Sequence, residues 1–301
     1  MNNLILLVLC FLAGILLRHA GRLPDRSPAA FNGFIIHISL PALTILYIHN
    51  LQWDPSYGLA MSMAWLHFAL AVGIFWLVGR LFNLPRDTVG ALMITGGLGN
   101  TSFFGLPMIE TFYGKEGMAT GIIVDQLGSF FVVSTLGIIT ANLYSTGATT
   151  AKVIFYKIIR FPPLIALLAA LALLPVDYPD WMVVVLKRLS DTLAPLALVS
   201  VGYQLRLKHV TSNGRNLAIG LTFKLLLAPL LFYLWYVQIL EASGPVIQVT
   251  LFESAMPPMI TAAILAVEHD LNPPLANLMV AMGLVFAFFT LPGWWWVMLQ
   301  V

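Results

Sequence analysis

Long apolar segments alternate with short polar connections along the whole 301-residue chain. Most of these segments are about 17 to 27 residues long, which is enough for an α-helix to cross a bilayer. The pattern predicts ten spans, at about residues 2–18, 28–49, 57–82, 87–113, 117–142, 161–174, 181–205, 216–240, 245–267 and 273–299. The chain is therefore predicted to be an all-α polytopic membrane protein.

Two of these spans contain residues that interrupt a helix. Span 4 carries GGLGNTSFFGLPM, whose glycines are expected to open the helix from Gly96 to Leu106, with Pro107 in the first turn of the helix that follows. Span 9 carries FESAMPPMIT, in which Pro257 and Pro258 cannot donate backbone hydrogen bonds. Irregular backbone at membrane depth persists only inside protein or beside a water-filled cavity. A pair of such interruptions is typical of a transporter's binding site.

The two halves of the chain place their prolines in matching positions. Pro41 in span 2 and Pro195 in span 7, which are both expected to interrupt a helix, lie 154 residues apart, and Pro107 and Pro257 lie 150 residues apart. A five-span unit is therefore predicted to occur twice, as a first repeat at 1–142, a connecting loop at 143–152 and a second repeat at 153–301. Because five is an odd number, the second repeat is inverted in the membrane, and the broken spans 4 and 9 are predicted to cross.

The distribution of charge tests this topology. Apart from Lys115, the bases outside the spans fall in the loops that follow spans 1, 3, 5 and 7. They are Arg18, Arg22, Arg26, Arg80, Arg86, Lys152, Lys157, Arg160, Arg206, Lys208 and Arg215. The positive-inside rule then predicts that these loops are cytoplasmic and that both termini lie outside, in a bacterial inner membrane. With 59% hydrophobic residues and a net charge of only +2, the chain has no footprint for nucleic acid.

A crossing of spans 4 and 9 would bring two half-helix N-termini to one point. Each N-terminus carries about half a positive charge and several N–H groups without helical partners, so together they favour an anion such as a carboxylate. The candidate substrate-binding residues are Asn100, Thr101, Ser102, Gly105, Pro107, Ser254, Pro257 and Pro258. The alternative interpretation is that glycine and proline only permit close packing or kinks, which are common in membrane helices.

Three ionisable residues inside the spans are candidates for ion or proton coupling. Glu253 precedes Pro257 by one helical turn, so its carboxylate is expected close to the crossing, either as a carrier or bound to N–H groups of the opened helix. Lys224 in span 8 and Asp125 in span 5 either share this role or form a buried ion pair. His67 in span 3 is interpreted as a packed side chain, with titration as the alternative. The sequence contains no metal-ligand cluster, P-loop or nucleophile motif, which argues against an enzyme, a metal site or a cofactor.

Several segments of the chain resemble the auxin efflux carrier family, whose bacterial members include permeases for malate and related acids. They are SLPALTIL, GNTSFFGLPM, FPPLIALL, TLAPLALVSVG and ESAMPPMITAAILA, in spans 2, 4, 6, 7 and 9. The resemblance implies a fold similar to that of bile acid sodium symporters, with spans 1, 2, 6 and 7 as a scaffold and spans 3–5 and 8–10 as a mobile transport core. It also implies that Asn100 contacts a carboxylate and that Pro107 and Pro257 are the crossover prolines.

These observations together predict a secondary transporter of a small organic anion, such as a mono- or dicarboxylate, that works by an elevator-like shift of the core. Coupling to protons or to sodium is expected, with no other cofactor. The resemblance implies a homodimer through the scaffold, surrounded by membrane lipid. The alternative is a membrane sensor that binds a ligand on the same fold without transporting it.

Overall fold

The computed structural model describes residues 2–49, 54–145, 159–204 and 210–301. Within these ranges the backbone is helical apart from turns, short extended segments and one isolated bridge between Gly99 and Pro258. The expected connecting loop at 143–152 lies mostly outside the described residues. So do the start of the predicted second repeat at 153 and the loop bases Lys152, Lys157, Arg206 and Lys208.

The described helices follow the predicted apolar segments. In the first half they are α1 (Asn2–His19), α2 (Ser27–Ile48), α3 (Tyr57–Leu81), α4 (Arg86–Gly97), α5 (Leu106–Tyr113) and α6 (Lys115–Tyr144). In the second half they are α7 (Pro162–Ala172), α8 (Asp180–Ser190), α9 (Leu193–Gln204), α10 (Asn213–Ile239), α11 (Pro245–Ser254), α12 (Ile260–Glu268) and α13 (Pro273–Met298).

The length and composition of these helices are those of a multi-pass membrane protein. Helices α2, α3, α6, α10 and α13 are each long and apolar enough to cross a bilayer. Helix α7 and part of α1 are shorter apolar helices.

π-helical turns occur inside several of the long helices. They lie at Ile35–Ser39, Val124–Ser129, Val133–Gly137, Phe223–Leu227 and Leu234–Ile239. Such turns are frequently found at functional sites, because they change the direction of the neighbouring side chains. Two of them carry Asp125 and Lys224, which the sequence identifies as intramembrane charges.

The break in span 4 is shorter than the predicted opening from Gly96 to Leu106. Helix α4 continues through Gly97, and only residues 98–100 are extended. At the two terminal glycines of α4, aromatic rings of α3 pack where a Cβ atom would be. The predicted opening at Gly96 and Gly97 is therefore wrong, and at these two glycines the alternative interpretation, close helix packing, agrees with the structure.

The predicted interruption at Pro41 is not present, and the interruption predicted at Pro195 lies just before it, at Asp191 and Thr192. Helix α2 runs through Pro41, because the π-helical turn immediately before this proline adjusts the backbone to the missing donor. In span 7 the helix stops at Ser190, and Pro195 is the third residue of α9. A proline is tolerated there, since the first N–H groups of a helix have no intrahelical carbonyl to bind.

The chain divides into two compact units. Unit 1 comprises Met1–Trp53, Ser102–Ile122 and Tyr156–Leu205, and unit 2 comprises Asp54–Thr101, Ile123–Phe155 and Arg206–Val301. In unit 1, α1 packs closely along α9, and Gly14 and Gly202 lie where a Cβ would overlap the backbone of the facing helix. The Ser39 and Thr192 hydroxyl groups, 2.7 Å apart, join α2 to the turn before α9.

Helix α4 forms the centre of unit 2. Every residue from Thr88 to Gly97 is buried, and α3, α10, α12 and α13 all pack against it. Because α4 is buried on all sides, protein rather than lipid surrounds its C-terminal end. The extended segment that follows Gly97 is therefore held inside protein, as an irregular backbone in a membrane must be.

Candidate functional site

Two interrupted helices of unit 2 cross at their breaks. The segment after α4 runs antiparallel to the segment between α11 and α12. The Asn100 N–H donates to the Pro257 carbonyl at 2.8 Å, and the Met259 N–H donates to the Leu98 carbonyl at 2.9 Å. These two hydrogen bonds fix the relative position of the breaks and satisfy buried backbone groups that a continuous helix would satisfy internally.

The local sequence explains why the crossing forms here. Pro257 and Pro258 have no N–H, so α11 cannot extend through them and ends at Ser254. On the opposite segment, a Cβ on Gly99 would lie 3.4 Å from the Lys224 Nζ atom and 3.7 Å from the Glu253 carbonyl oxygen. The extended segment therefore passes in van der Waals contact with the end of α11 and with the lysine beside it.

Lys224 is fully buried, with 0% of its surface exposed, and its ammonium group lies next to the crossing. Nζ donates to the Ser254 carbonyl at 3.0 Å and lies 3.4 Å from the His67 Nε2 atom. The His67 ring in turn stacks against Phe232. The ammonium group thus occupies the C-terminal end of α11, where the helix dipole is negative.

Glu253 is the adjacent buried acid, with 1% of its surface exposed. Neither carboxylate oxygen has a hydrogen-bond partner among the described residues. The carboxylate interacts electrostatically with Lys224 and with Asp125. A buried carboxylate without hydrogen-bond donors is costly, so its presence here calls for an explanation other than stability.

Asp125 lies on the π-helical turn of α6 and is bound to the crossing through Thr101. The Thr101 hydroxyl donates to Asp125 Oδ1 at 2.6 Å, and both side chains are buried. Asp125 thus accepts from Thr101, while Lys224 donates to the Ser254 carbonyl.

A small cavity lies between these polar groups. Its lining includes the side chains of His67, Thr101, Ser129, Lys224 and Glu253. The cavity measures about 10 Å³, which is roughly the space for one water molecule. A dicarboxylate does not fit into it, so in this conformation the cavity has room for a water molecule but not for an organic substrate.

The other predicted substrate-binding residues fall into two groups. In unit 2, Asn100 is buried at the crossing, while the Ser254 hydroxyl donates to the Leu251 carbonyl at 2.6 Å, so that hydroxyl is engaged with its own helix. In unit 1, Ser102 and Gly105 belong to the π-helical turn at Thr101–Gly105, and Pro107 lies in the first turn of α5 as predicted.

Of the polar residues of the cavity, the sequence interpretation missed Ser129 and took His67 as a packed side chain, with titration as the alternative. Ser129 follows Asp125 by four residues, a spacing that puts both side chains on one helix face. This spacing of polar residues within an apolar span is a signal that could have identified it. His67 offers no such signal, because a histidine in mid-span is equally compatible with plain packing.

The geometry of unit 2 defines a class of protein before any relative is considered. Crossed helix breaks and intramembrane charges beside them are the architecture of membrane transporters. A family model described as membrane transport protein matches residues 1–295, and the chain belongs to this family, that of the auxin efflux carriers. The resemblance seen in the sequence is thus confirmed.

Two archaeal relatives are similar over nearly their whole length. An uncharacterized transporter of Methanothermobacter thermautotrophicus is 26% identical over 286 residues, which cover 94% of this chain and 93% of the relative. An uncharacterized transporter of Methanocaldococcus jannaschii is 25% identical over 309 residues, which cover 100% of this chain and 99% of the relative. The chain is therefore a membrane transporter.

Proposed function

We propose that this protein is a secondary transporter that carries a small organic anion, such as a mono- or dicarboxylate, across the membrane. The observation that carries the proposal is the crossing of two helix breaks, from which α12 starts directly after Met259. The first amides of α12 have no intrahelical carbonyl partners, and the N-terminal end of its dipole is positive. An anion can bind there without a buried arginine or lysine.

The surroundings of this helix start support a ligand site. Thr261, in the first turn of α12, is exposed, so its side chain is not enclosed by the protein. Asn100 is the last residue of the extended segment, and its backbone N–H donates to the Pro257 carbonyl. In the proposal Asn100 and the first turn of α12 bind the carboxylate.

The coupling step is assigned to Glu253. Its carboxylate lies beside the one-water cavity, near Lys224, Asp125 and His67. The substrate is too large for this cavity, so the coupling site and the anion site are neighbouring but distinct. A proton taken up by Glu253 would change the charge beside the substrate and so link the two sites.

The remaining parts of the proposal rest on family membership and on charge distribution. They are an elevator-like shift of spans 3–5 and 8–10 against spans 1, 2, 6 and 7, a homodimeric assembly, and an inner-membrane location with both termini outside. The positive-inside pattern supports the last of these.

The test is the flux of labelled malate and several monocarboxylates into proteoliposomes, with imposed voltage and proton gradients. Asn100→Ala should reduce saturable flux by about tenfold or more, which corresponds to about 1.4 kcal/mol of lost interaction. Asn142→Ala is the matched control, because Asn142 lies in unit 2 on α6 and does not line the cavity.

Normal flux in Asn100→Ala would overturn the site assignment. Saturable binding of an acid without any flux would overturn the transport proposal and favour the sensor interpretation. Loss of flux in both asparagine variants would show that the effect is not specific to the crossing.

A further inference from the structure

Each of the last four backbone carbonyls of α11 accepts a hydrogen bond from a donor of the protein itself. The last four carbonyls of a helix have no intrahelical donor, and at a helix break inside a membrane they need other partners. Here the donors are the Ser254 hydroxyl to Leu251 (2.6 Å), the Ala255 N–H to Phe252 (3.1 Å), the Met256 N–H to Glu253 (3.2 Å) and the Lys224 ammonium group to Ser254 (3.0 Å).

This arrangement bears on cation coupling. In transporters with broken helices, the carbonyls at half-helix C-termini are where a coupling Na⁺ is coordinated, because the dipole is negative there. A hard cation needs several oxygen ligands at once. At α11 the Ser254 carbonyl accepts from Lys224, so a metal cation at this end of the helix would have to compete with the ammonium group for that oxygen.

The lysine also lies directly against the crossing. Its Nζ atom lies 3.4 Å from the position of a Cβ on Gly99, which is an ordinary van der Waals distance. The lysine stem comes from the π-helical turn Phe223–Leu227, and the negative partner Glu253 lies within electrostatic reach. A Na⁺ ion in the same cavity would stand next to a like charge in a medium that screens poorly.

We propose that the Lys224 ammonium group is the resident cation of the crossing and takes the place of a coupling sodium ion, so that the protein neither binds nor uses Na⁺. The inference rests on the proposed function for its consequence in transport. Its structural part, a cation site filled by a lysine, does not depend on which substrate is carried.

The first experiment measures the melting temperature (Tm) of the purified protein in NaCl and in choline chloride at equal ionic strength. A protein that binds Na⁺ only in its folded state is stabilised by mass action, with a Tm that rises with the salt concentration. The inference expects equal Tm values in the two salts. A higher Tm in NaCl, or a flux that requires Na⁺, would overturn it.

The second experiment is chemical rescue of Lys224→Ala. This variant should have a lower Tm and at least a tenfold lower flux, because Glu253 loses its cation. n-Propylammonium, which replaces the deleted part of the side chain, should restore Tm and flux, whereas neutral n-propanol should not. Lys187→Ala, which removes an exposed lysine, is the control and should respond to neither.

Two results of the rescue experiment would contradict the inference. One is a Lys224→Ala protein with unchanged Tm, and the other is rescue by n-propanol as effective as by the amine, which would indicate a packing role alone. If Lys224→Ala does not fold, Lys224→Met retains the volume without the charge. This variant should be less stable than the native chain, and Glu253→Gln should restore its Tm. Failure of that restoration would likewise contradict the charge-based role.

The outcomes separate this inference from the proposed function. Absence of flux for every acid in the native chain would defeat the proposed function, while the Tm comparison and the Tm rescue would still decide the role of Lys224. Sodium-dependent flux would defeat only the role of Lys224.

Discussion

The contact between Gly283 and Pro258 provides a direct test of whether the position of the span 9 break matters. Gly283 lies on α13, and a Cβ at this position would overlap the Pro258 Cδ atom and lie 3.1 Å from its Cγ atom. The ring of a proline cannot rotate away as a flexible side chain would. Gly283→Ala must therefore displace the break, the helix or both by about 1 Å before ordinary van der Waals contact is restored.

The magnitude follows from two opposing terms. Inserting a methyl group into a well-packed interior costs about 1 to 3 kcal/mol. Replacing glycine by alanine within a helix gains about 1 kcal/mol from backbone propensity. Gly293 on the same helix is the matched control, because its Cβ would meet nothing within 4 Å, and Gly293→Ala should retain the gain alone.

We therefore expect Gly283→Ala to be about 1 to 3 kcal/mol less stable than Gly293→Ala. The assays are thermal unfolding of both purified variants and anion flux in proteoliposomes. Gly283→Ala should show the lower Tm and a flux reduced by about tenfold, while Gly293→Ala should transport at the native rate. Equal Tm and equal flux in the two variants would refute the view that the break is held in one position by α13.

Two further predictions concern the other unit and the coupling residue. Gly202→Ala should lower Tm by several degrees, because its Cβ would overlap the backbone of α1, whereas Gly33→Ala, whose Cβ would meet nothing within 4 Å, should not; equal Tm values would contradict the close packing of α1 on α9. Glu253→Gln has nearly the same shape but cannot release a proton, so an imposed proton gradient should no longer accelerate flux. Acceleration that persists in this variant would exclude Glu253 as the coupling residue.

The location of the crossing could be predicted because its causes are local. A pair of prolines stops a helix whatever surrounds it, and a glycine allows close backbone approach wherever it lies. The segments that contain Gly99 and Pro258 can therefore be recognised in the sequence, and in the structure they lie beside each other. The same reasoning overestimated the length of the break, because the packing of aromatic rings on Gly96 and Gly97 is a tertiary effect.

The partners of the buried charges could not be predicted for a related reason. Lys224 and Ser254 are 30 residues apart, and Lys224 and His67 are 157 residues apart. No periodicity within one helix relates them. The sequence identifies which charges lie in spans, but only the packing of α3, α10 and α11 around one helix end decides whether a lysine binds a carboxylate, a carbonyl or an imidazole.

The crossing itself does not need the charges that surround it. Two backbone hydrogen bonds, from the Asn100 and Met259 N–H groups, already hold the segments together. Apolar side chains of similar volume would avoid the cost of burying Lys224 and Glu253, since replacing a buried ion pair by well-packed apolar residues is often neutral or stabilising. Glu253 adds to that cost, because its oxygens have no hydrogen-bond partner among the described residues. In the proposed function, this cost is accepted because a carboxylate next to a one-water cavity, with an ammonium group on the adjacent helix end, forms a site whose charge changes during transport.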